Sequence, residues 1–527
     1  AAMIQHVMRD LIPAINQVAQ NSPGHHALSE RLASHGVLPM FGFPTRVRYL
    51  YHGGPPRADA GWPPERGVID RQLDIAISQF APGAQTVKDD QLLTSVGVVD
   101  YYPSGGRVLT SPDPLADPVQ IGVCRRCQAL VENPASIGGC PFCAAPRGKD
   151  DYRSVDLSEP PGFMTWWSAE AEYNGAFEFT PRALRARMGH VPGSPTQLLN
   201  FEIDRGPARI HRVNDNGGED FIFHKIATGD IWIVDQAFRR ALQDLPADRQ
   251  RAIRGPQYDT SAAPLTRALA SIATTDVLVA GIKRAPVGVT LNPANPEARA
   301  AWYSFGFLAR RAAAVVLDVA ETELDVGIQP VMDMRTPFAP PSARIFVSDS
   351  LENGAGYSSH IGAPAEFESL LRFMLGQGGP ASTSFYAPMI GAPHEHECSS
   401  SCHRCLRDYG NMPYHPLLDW RLALDMVRLA LDPNAPIDLV QPYWSALIQR
   451  TALPYFQALN YTPTILAGLP SGHDAGTGEA LILIHPLWDQ DPSNFRPEVA
   501  SAVAQAESRG WNWKLRTVFR AVRFPYE

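Results

Sequence analysis

At 527 residues the chain exceeds what one ordinary hydrophobic core organises, and about three or four domains or lobes are expected. Hydrophobic residues make up 45% of it and charged residues 19%, with no long low-complexity tract, which argues for a folded globular protein and against disorder. The formal net charge of −8 argues against a general polyanion binder, although a sum says nothing about a single basic face. Polar and acidic residues interrupt the first segment, so no secretory signal is visible, and no apolar run approaches the roughly eighteen residues needed to cross a bilayer. The 7 cysteines bunch in two short windows, which fits metal binding in a reducing compartment better than a disulfide framework. A cytoplasmic protein without a membrane partner is expected.

In chain order, Ile4, Val7, Met8, Leu11, Ile12 and Ile15 form one helical stripe that breaks at Ser22-Pro23-Gly24, an amphipathic docking helix. The block from Leu38 to Tyr51 is aromatic and basic. Its rings suit stacking on unpaired bases, with Arg46 and Arg48 on phosphates, or else the block is a core edge, the commoner outcome for such a stripe. Ile69, Leu73 and Ile77 recur at helical spacing, and a strand is expected around Val96–Val99. Cys124-Arg-Arg-Cys127 and Cys140-Pro-Phe-Cys143 are two knuckles separated by a turn-rich segment. Four thiolates close a zinc ribbon and leave no position for a catalytic water. A redox dithiol or DNA contact through Arg125 and Arg126 is the competing reading, and the surroundings lack the βαβ pattern that a redox site needs.

Strands are expected at Gly175–Thr180, Leu198–Ile203, Arg209–Val213, Phe221–Ile226, Ile231–Val234 and Asp276–Gly281, an antiparallel β-rich lobe. Asn214-Asp-Asn-Gly-Gly218 carries the turn chemistry of a tight hairpin, and its spacing is wrong for an EF-hand calcium loop. A long helix is expected over residues 297–330, with Trp302, Phe305, Leu308 and Ala312 buried and Arg310-Arg311 on a basic rim. The strand Ile345–Asp349 runs into a glycine-rich turn and a helix over residues 365–375. Such a unit cradles phosphate in some proteins. Without the Lys-Ser/Thr of a Walker loop it reads more simply as a structural turn.

Then comes His394-Glu-His-Glu-Cys398-Ser-Ser-Ser-Cys402-His-Arg-Cys405, in which three thiolates and one imidazole, from His394 or His396, close a second zinc site. Arg404 and Arg407 flank Cys405 and either meet phosphates or pair with nearby acids. Pro416 suits a first helical turn, and Leu418, Leu422, Met426 and Leu429 continue the helix. A linker spans Pro433–Pro442, and the strand Ala480–Ile484, the helix Pro497–Arg509 and a strand from Lys514 complete a small α/β unit.

The blocks Leu38–Arg46, Asp70–Gly83, Asn214–Gly218, Asp349–Tyr357 and His394–Met426 resemble the DrmB family, the helicase partners of the bacterial DISARM anti-phage system. The last two blocks also resemble a C-terminal domain of a wider group of superfamily-two helicases, which carry a Cys-x-Cys-x3-Cys-x2-Cys cluster. Laid on this sequence, the last three cysteines of that pattern fall on Cys398, Cys402 and Cys405 and the first on His396. The resemblance therefore implies His396 as fourth ligand, with His394 second in line. It also implies a non-catalytic subunit that associates with a DrmA-like DNA helicase and engages DNA, favouring ends with a single-stranded 5′ stretch. In agreement, the chain has no Gly-x-x-x-x-Gly-Lys-Ser/Thr loop, no Asp-Glu-x-His box and no His-x-Lys nuclease pair.

The expectation is a mixed α/β, multi-lobed protein. It has a docking region (1–115), a four-cysteine zinc ribbon insert (116–150) and a β-rich middle lobe (151–296). A helicase-associated α/β region with a second zinc knuckle of three cysteines and one histidine (297–440) and a small C-terminal α/β lobe (441–527) follow. Two structural Zn2+ ions are expected, on Cys124, Cys127, Cys140 and Cys143, and on His396, Cys398, Cys402 and Cys405. No catalytic residue is expected, and Arg46, Arg48, Arg404 and Arg407 are the candidate nucleic-acid contacts. Two alternatives remain: an adaptor that touches the helicase without touching DNA, and a zinc-dependent hydrolase or deaminase using His394-Glu-His396-Glu397. Ligand closure disfavours the latter.

Overall fold

The strand Leu265–Ile282, 18 residues long, is the spine of the molecule. In the computed structural model the described residues are 7–21, 32, 37, 46–56, 62, 64–132, 134, 138–176, 184–190, 193–332 and 341–526. The Leu38–Thr45 block, the Ser22-Pro23-Gly24 break and most of the strand expected at Gly175–Thr180 lie outside them. Along one edge the spine pairs antiparallel with Phe201–Asn214, from Phe201↔Ile282 to Asn214↔Leu269. Along the other it pairs with Ser342–Asp349, which in turn pairs with Leu324–Val331. Both faces of the spine are covered, as its alternating side chains show. Leu278 and Ala280 enter the large core with the helix above the sheet, while Val277 and Val279 meet Ala186, Met188, Ile210 and Phe346 below it.

The architecture is mixed α/β, and among the described residues 17 strands share one hydrogen-bonded network. Within it Gln91–Val98 pairs with both Phe163–Thr165 and Trp232–Val234, so hydrogen bonds join the expected docking region to the expected middle lobe. Gly206-Pro207 breaks the apolar pattern but not the pairing, since Pro207 stands opposite Asp276. The two strands expected at Leu198–Ile203 and Arg209–Val213 therefore merge largely into one. Ile69 lies in the strand Val68–Gln72 rather than in a helix, because that segment pairs with Val47–Tyr51 and the helix starts only at Leu73. The Asn214–Gly218 segment is a turn but not a hairpin. Phe221–Lys225 pairs with the spine, at Phe221↔Arg267, directly beyond the partner of Asn214. The loop is thus an excursion from a single sheet edge.

Above the sheet lies the central helix, Pro296–Leu317, with proline in its first turn. It is buried nearly all round: Trp302, Phe305, Leu308 and Ala312 are covered as expected, and so are Ala300, Tyr303, Phe307 and Ala313. Gly306 allows this closeness, because a Cβ there would stand 2.6 Å from Val326. The helix ends well short of residue 330. Asp318 turns left-handed at φ 55°, and Leu324–Val331 becomes a strand whose alternate residues Leu324, Val326 and Ile328 face the helix. Arg310 is no rim residue. It is 4% exposed and ion-paired with Glu321 and Asp408.

The helix Trp420–Leu431 packs on the central helix and starts later than Pro416, because Asp419 caps it by accepting the Arg421 amide. Beyond it the chain forms the helix Pro442–Ala458. A sheet follows in which Thr462–Leu466, Leu469–Asp474 and Glu479–Ile484 are antiparallel and Asn512–Thr517 is parallel to the third. One apolar core runs from Phe201 through the central helix to Ala521. At its centre the buried carboxylate of Asp425 accepts from Tyr443 Oη (2.5 Å), Trp444 Nε1 (2.8 Å) and His485 Nε2 (3.0 Å), tying three elements together. Asp425→Leu strands these donors in the core and is expected to cost about 3–5 kcal/mol. The midpoint of urea unfolding measures it, and a change under about 1 kcal/mol would contradict the assignment.

Candidate metal centres

The first centre grows from the strand Val119–Cys124, which is held by Tyr152–Ser158 and ends on the first ligand. Each Cys-x-x-Cys knuckle then closes on itself. The Cys124 amide donates to Ala129 O (2.9 Å) and the Cys140 amide to Ala145 O (2.8 Å). In both knuckles the residue after the second cysteine is left-handed, Gln128 at φ 68° and Ala144 at φ 54°, so the two are conformational copies. They bring Cys124, Cys127, Cys140 and Cys143 together with all four sulfurs within 4.8 Å of one another. Cys124–Cys143 and Cys127–Cys140 are each 3.6 Å apart. Tetrahedral Zn–S bonds of about 2.3 Å imply sulfur separations of about 3.8 Å, so the set fits a zinc-sized ion closely. Hydrogen bonds from Cys127 and Cys140 hold the Cys124 thiol well below the usual thiol range, and the same contact with Cys124 pushes Cys127 upward.

The second centre consists of His394, Cys398, Cys402 and Cys405. The imidazole that stands with the three cysteines is therefore that of His394 and not, as expected, that of His396. The reason is helical register: His394–Glu397 forms one turn capped by Cys398, so His394 and Cys398, four apart, share a face, while His396 projects to the other side and is exposed. His394 Nδ1 lies 2.7 Å from Met389 O, which fixes that nitrogen as the donor. Nε2, buried and without a hydrogen-bond partner among the described residues, is left as a free lone pair, the arrangement of a metal-ligating histidine oriented by a backbone carbonyl. Cys405 lies 4.0 Å from both Cys398 and Cys402 and accepts the Cys402 amide at 3.1 Å. The hydrogen bond that the Cys405 thiol gives to the Cys402 sulfur holds the Cys402 thiol well below the usual thiol range.

The loop is gripped from outside. Arg421, fully buried over the Trp420 ring, donates to Cys398 O (3.0 Å) and Ser399 O (3.1 Å). Arg450 donates to Glu395 O (2.9 Å), His396 O and Cys398 O (3.2 Å), and Arg311 to Cys405 O (2.5 Å). Sequence spacing does not reveal these arginines, which lie between 22 and 94 residues away from the carbonyls they hold.

The candidate nucleic-acid contacts hold partners within the chain. Arg46 meets Glu159, Glu352 and Ile272 O, and Arg48 donates to Pro160 O at 2.7 Å. Arg404 pairs with Glu397, and Arg407 donates to Ser401 Oγ at 2.8 Å. Around the ribbon, Arg125 pairs with Asp215 and Arg126 with Asp151, so the Asn214–Gly218 loop serves as a docking point for the ribbon. The glycine-rich turn offers no phosphate cradle. Its free amides, at Ala355 (2.7 Å), Tyr357 (3.1 Å) and Ser358 (2.8 Å), already donate to the Asp349 carboxylate. Gly354, left-handed at φ 69°, has no room for a side chain, because a Cβ there would run into the Asp276 carboxylate.

Site and fold together define a mixed α/β protein with two buried four-donor clusters suited to metal ions of zinc character. No family model and no curated protein matches the chain. Among solved structures, the crystal structure of the DUF1998 helicase MrfA bound to DNA is similar at 9% identity and a TM-score of 0.27, over 62% of this chain and 37% of that one. The chain thus spans well under half of that protein's length, and a likeness of this size carries no argument.

Elemental analysis of the purified protein is expected to find two zinc ions per chain. His394→Ala should lower the count to one and His396→Ala should leave it at two. The reverse pattern would overturn the assignment of the second centre.

Proposed function

We propose that the chain is a non-catalytic subunit that associates with a superfamily-two DNA helicase of DrmA type, in an anti-phage complex, and helps that helicase to hold DNA, favouring ends with a single-stranded 5′ stretch. The observation that carries the non-catalytic reading is the closure of both donor sets. Four ligands from the protein satisfy a tetrahedral ion at each site and leave no position for an activated water. A hydrolase or deaminase would need an acid beside such a water, yet Glu397 is engaged by Arg404 on the exposed side of the helical turn. The association with a helicase rests on the resemblance of the five sequence blocks. The occupied amides at Asp349 agree with a motor that lies in another polypeptide.

A second reading is an adaptor that touches the helicase and leaves DNA alone. It is favoured by the internal partners of Arg46, Arg48, Arg404 and Arg407. Fluorescence anisotropy on a duplex with a 5′ overhang, titrated across a salt series, separates the two. The helicase with this chain should bind at least several-fold more tightly than the helicase alone, with a steeper dependence on salt. Equal affinity and slope would leave the adaptor, and failure of the two proteins to co-purify would remove the helicase partnership itself.

A further inference from the structure

Four of the cations around the four-cysteine centre have carboxylate partners: Arg125 with Asp215, Arg126 with Asp151, Arg153 with Asp220 and Lys149 with Glu219. Two half-buried guanidinium groups beside it have none among the described residues. Arg187 donates to Cys124 O (3.3 Å), Ala129 O (3.4 Å) and Gln128 Oε1 (3.3 Å). Arg299, in the first turn of the central helix, donates to Arg126 O and to Pro293 O (3.2 Å). Both therefore reach the backbone of the first knuckle, residues 124–129, from segments outside the ribbon. Carbonyl dipoles satisfy the donors of a guanidinium but do not cancel its charge, and a partly desolvated cation without a counter-charge is costly.

The missing charge is present once a divalent ion binds. Four thiolates around it leave two negative charges, one for each of the two arginines. We propose that Arg187 and Arg299 are the counter-charge of a metal–tetrathiolate centre, so that occupancy of the ribbon by its ion holds the ribbon against the central helix. The second centre shows a related arrangement. Arg450, from the helix after the linker, donates to the backbone carbonyls of Glu395, His396 and Cys398 and to no carboxylate among the described residues.

Competition of the full-length protein with a chromogenic zinc chelator tests this, with the ion of the second centre, which neither arginine touches, as internal reference. Arg187→Gln and Arg299→Gln should each weaken one of the two zinc ions about tenfold, in the range found when outer partners of metal ligands are removed. Arg187→Lys and Arg299→Lys keep the charge and should recover most of that loss. Unfolding of the zinc-free protein should be nearly unchanged in the glutamine variants, whereas a purely structural role would destabilise the zinc-free and zinc-loaded forms alike. The proposal is overturned if the glutamine variants hold both ions at parental affinity, lose both in parallel, or are not improved by lysine.

Discussion

A site of three sulfurs and one imidazole closes only if its donors arrive on one side of a short loop, and the C-terminal half of the molecule is arranged to keep them there. One helical turn aligns His394 with Cys398. The Met389 carbonyl orients the ring, and Arg421, Arg450 and Arg311 fasten the loop backbone to three different helices. Arg421 is itself held beside Asp419, which also meets Arg523 and caps the helix that carries the loop. Loss of the ion would thus be felt in a core that extends from the spine to the last helix.

The ribbon uses the same physics in a different place. Its ligands hang from the end of a strand in the main sheet, and its charged rim locks onto the loop that follows Asn214. Both centres work as clamps on irregular backbone that could not bury itself through apolar contact alone.

How far the sequence could be read depended on whether the information was local. The four-cysteine centre was fully legible, because two identical spacings and the turn chemistry between them suffice. The second centre was legible in its three cysteines but not in its histidine. A pattern laid from related cysteine clusters points to His396, and only the helical register of residues 394–397 selects His394. The central helix was overextended because the left-handed turn at Asp318 carries no glycine signal. Arg46 and Arg310 looked like surface cations because their acids, Glu159 and Asp408, lie 113 and 98 residues away. Charges of that kind are silent until the chain is folded.

Two four-donor clusters, with seven sulfurs and one imidazole between them, are what the proposed function depends on. X-ray absorption at the zinc edge of the fully loaded protein tests this most directly. It should show a dominant sulfur shell at about 2.3 Å with a minor imidazole shell at about 2.0 Å and no oxygen ligand. An oxygen shell, or nitrogen in a share above roughly one ligand in eight, would mean that one centre is open or differently built, and would return catalysis to consideration.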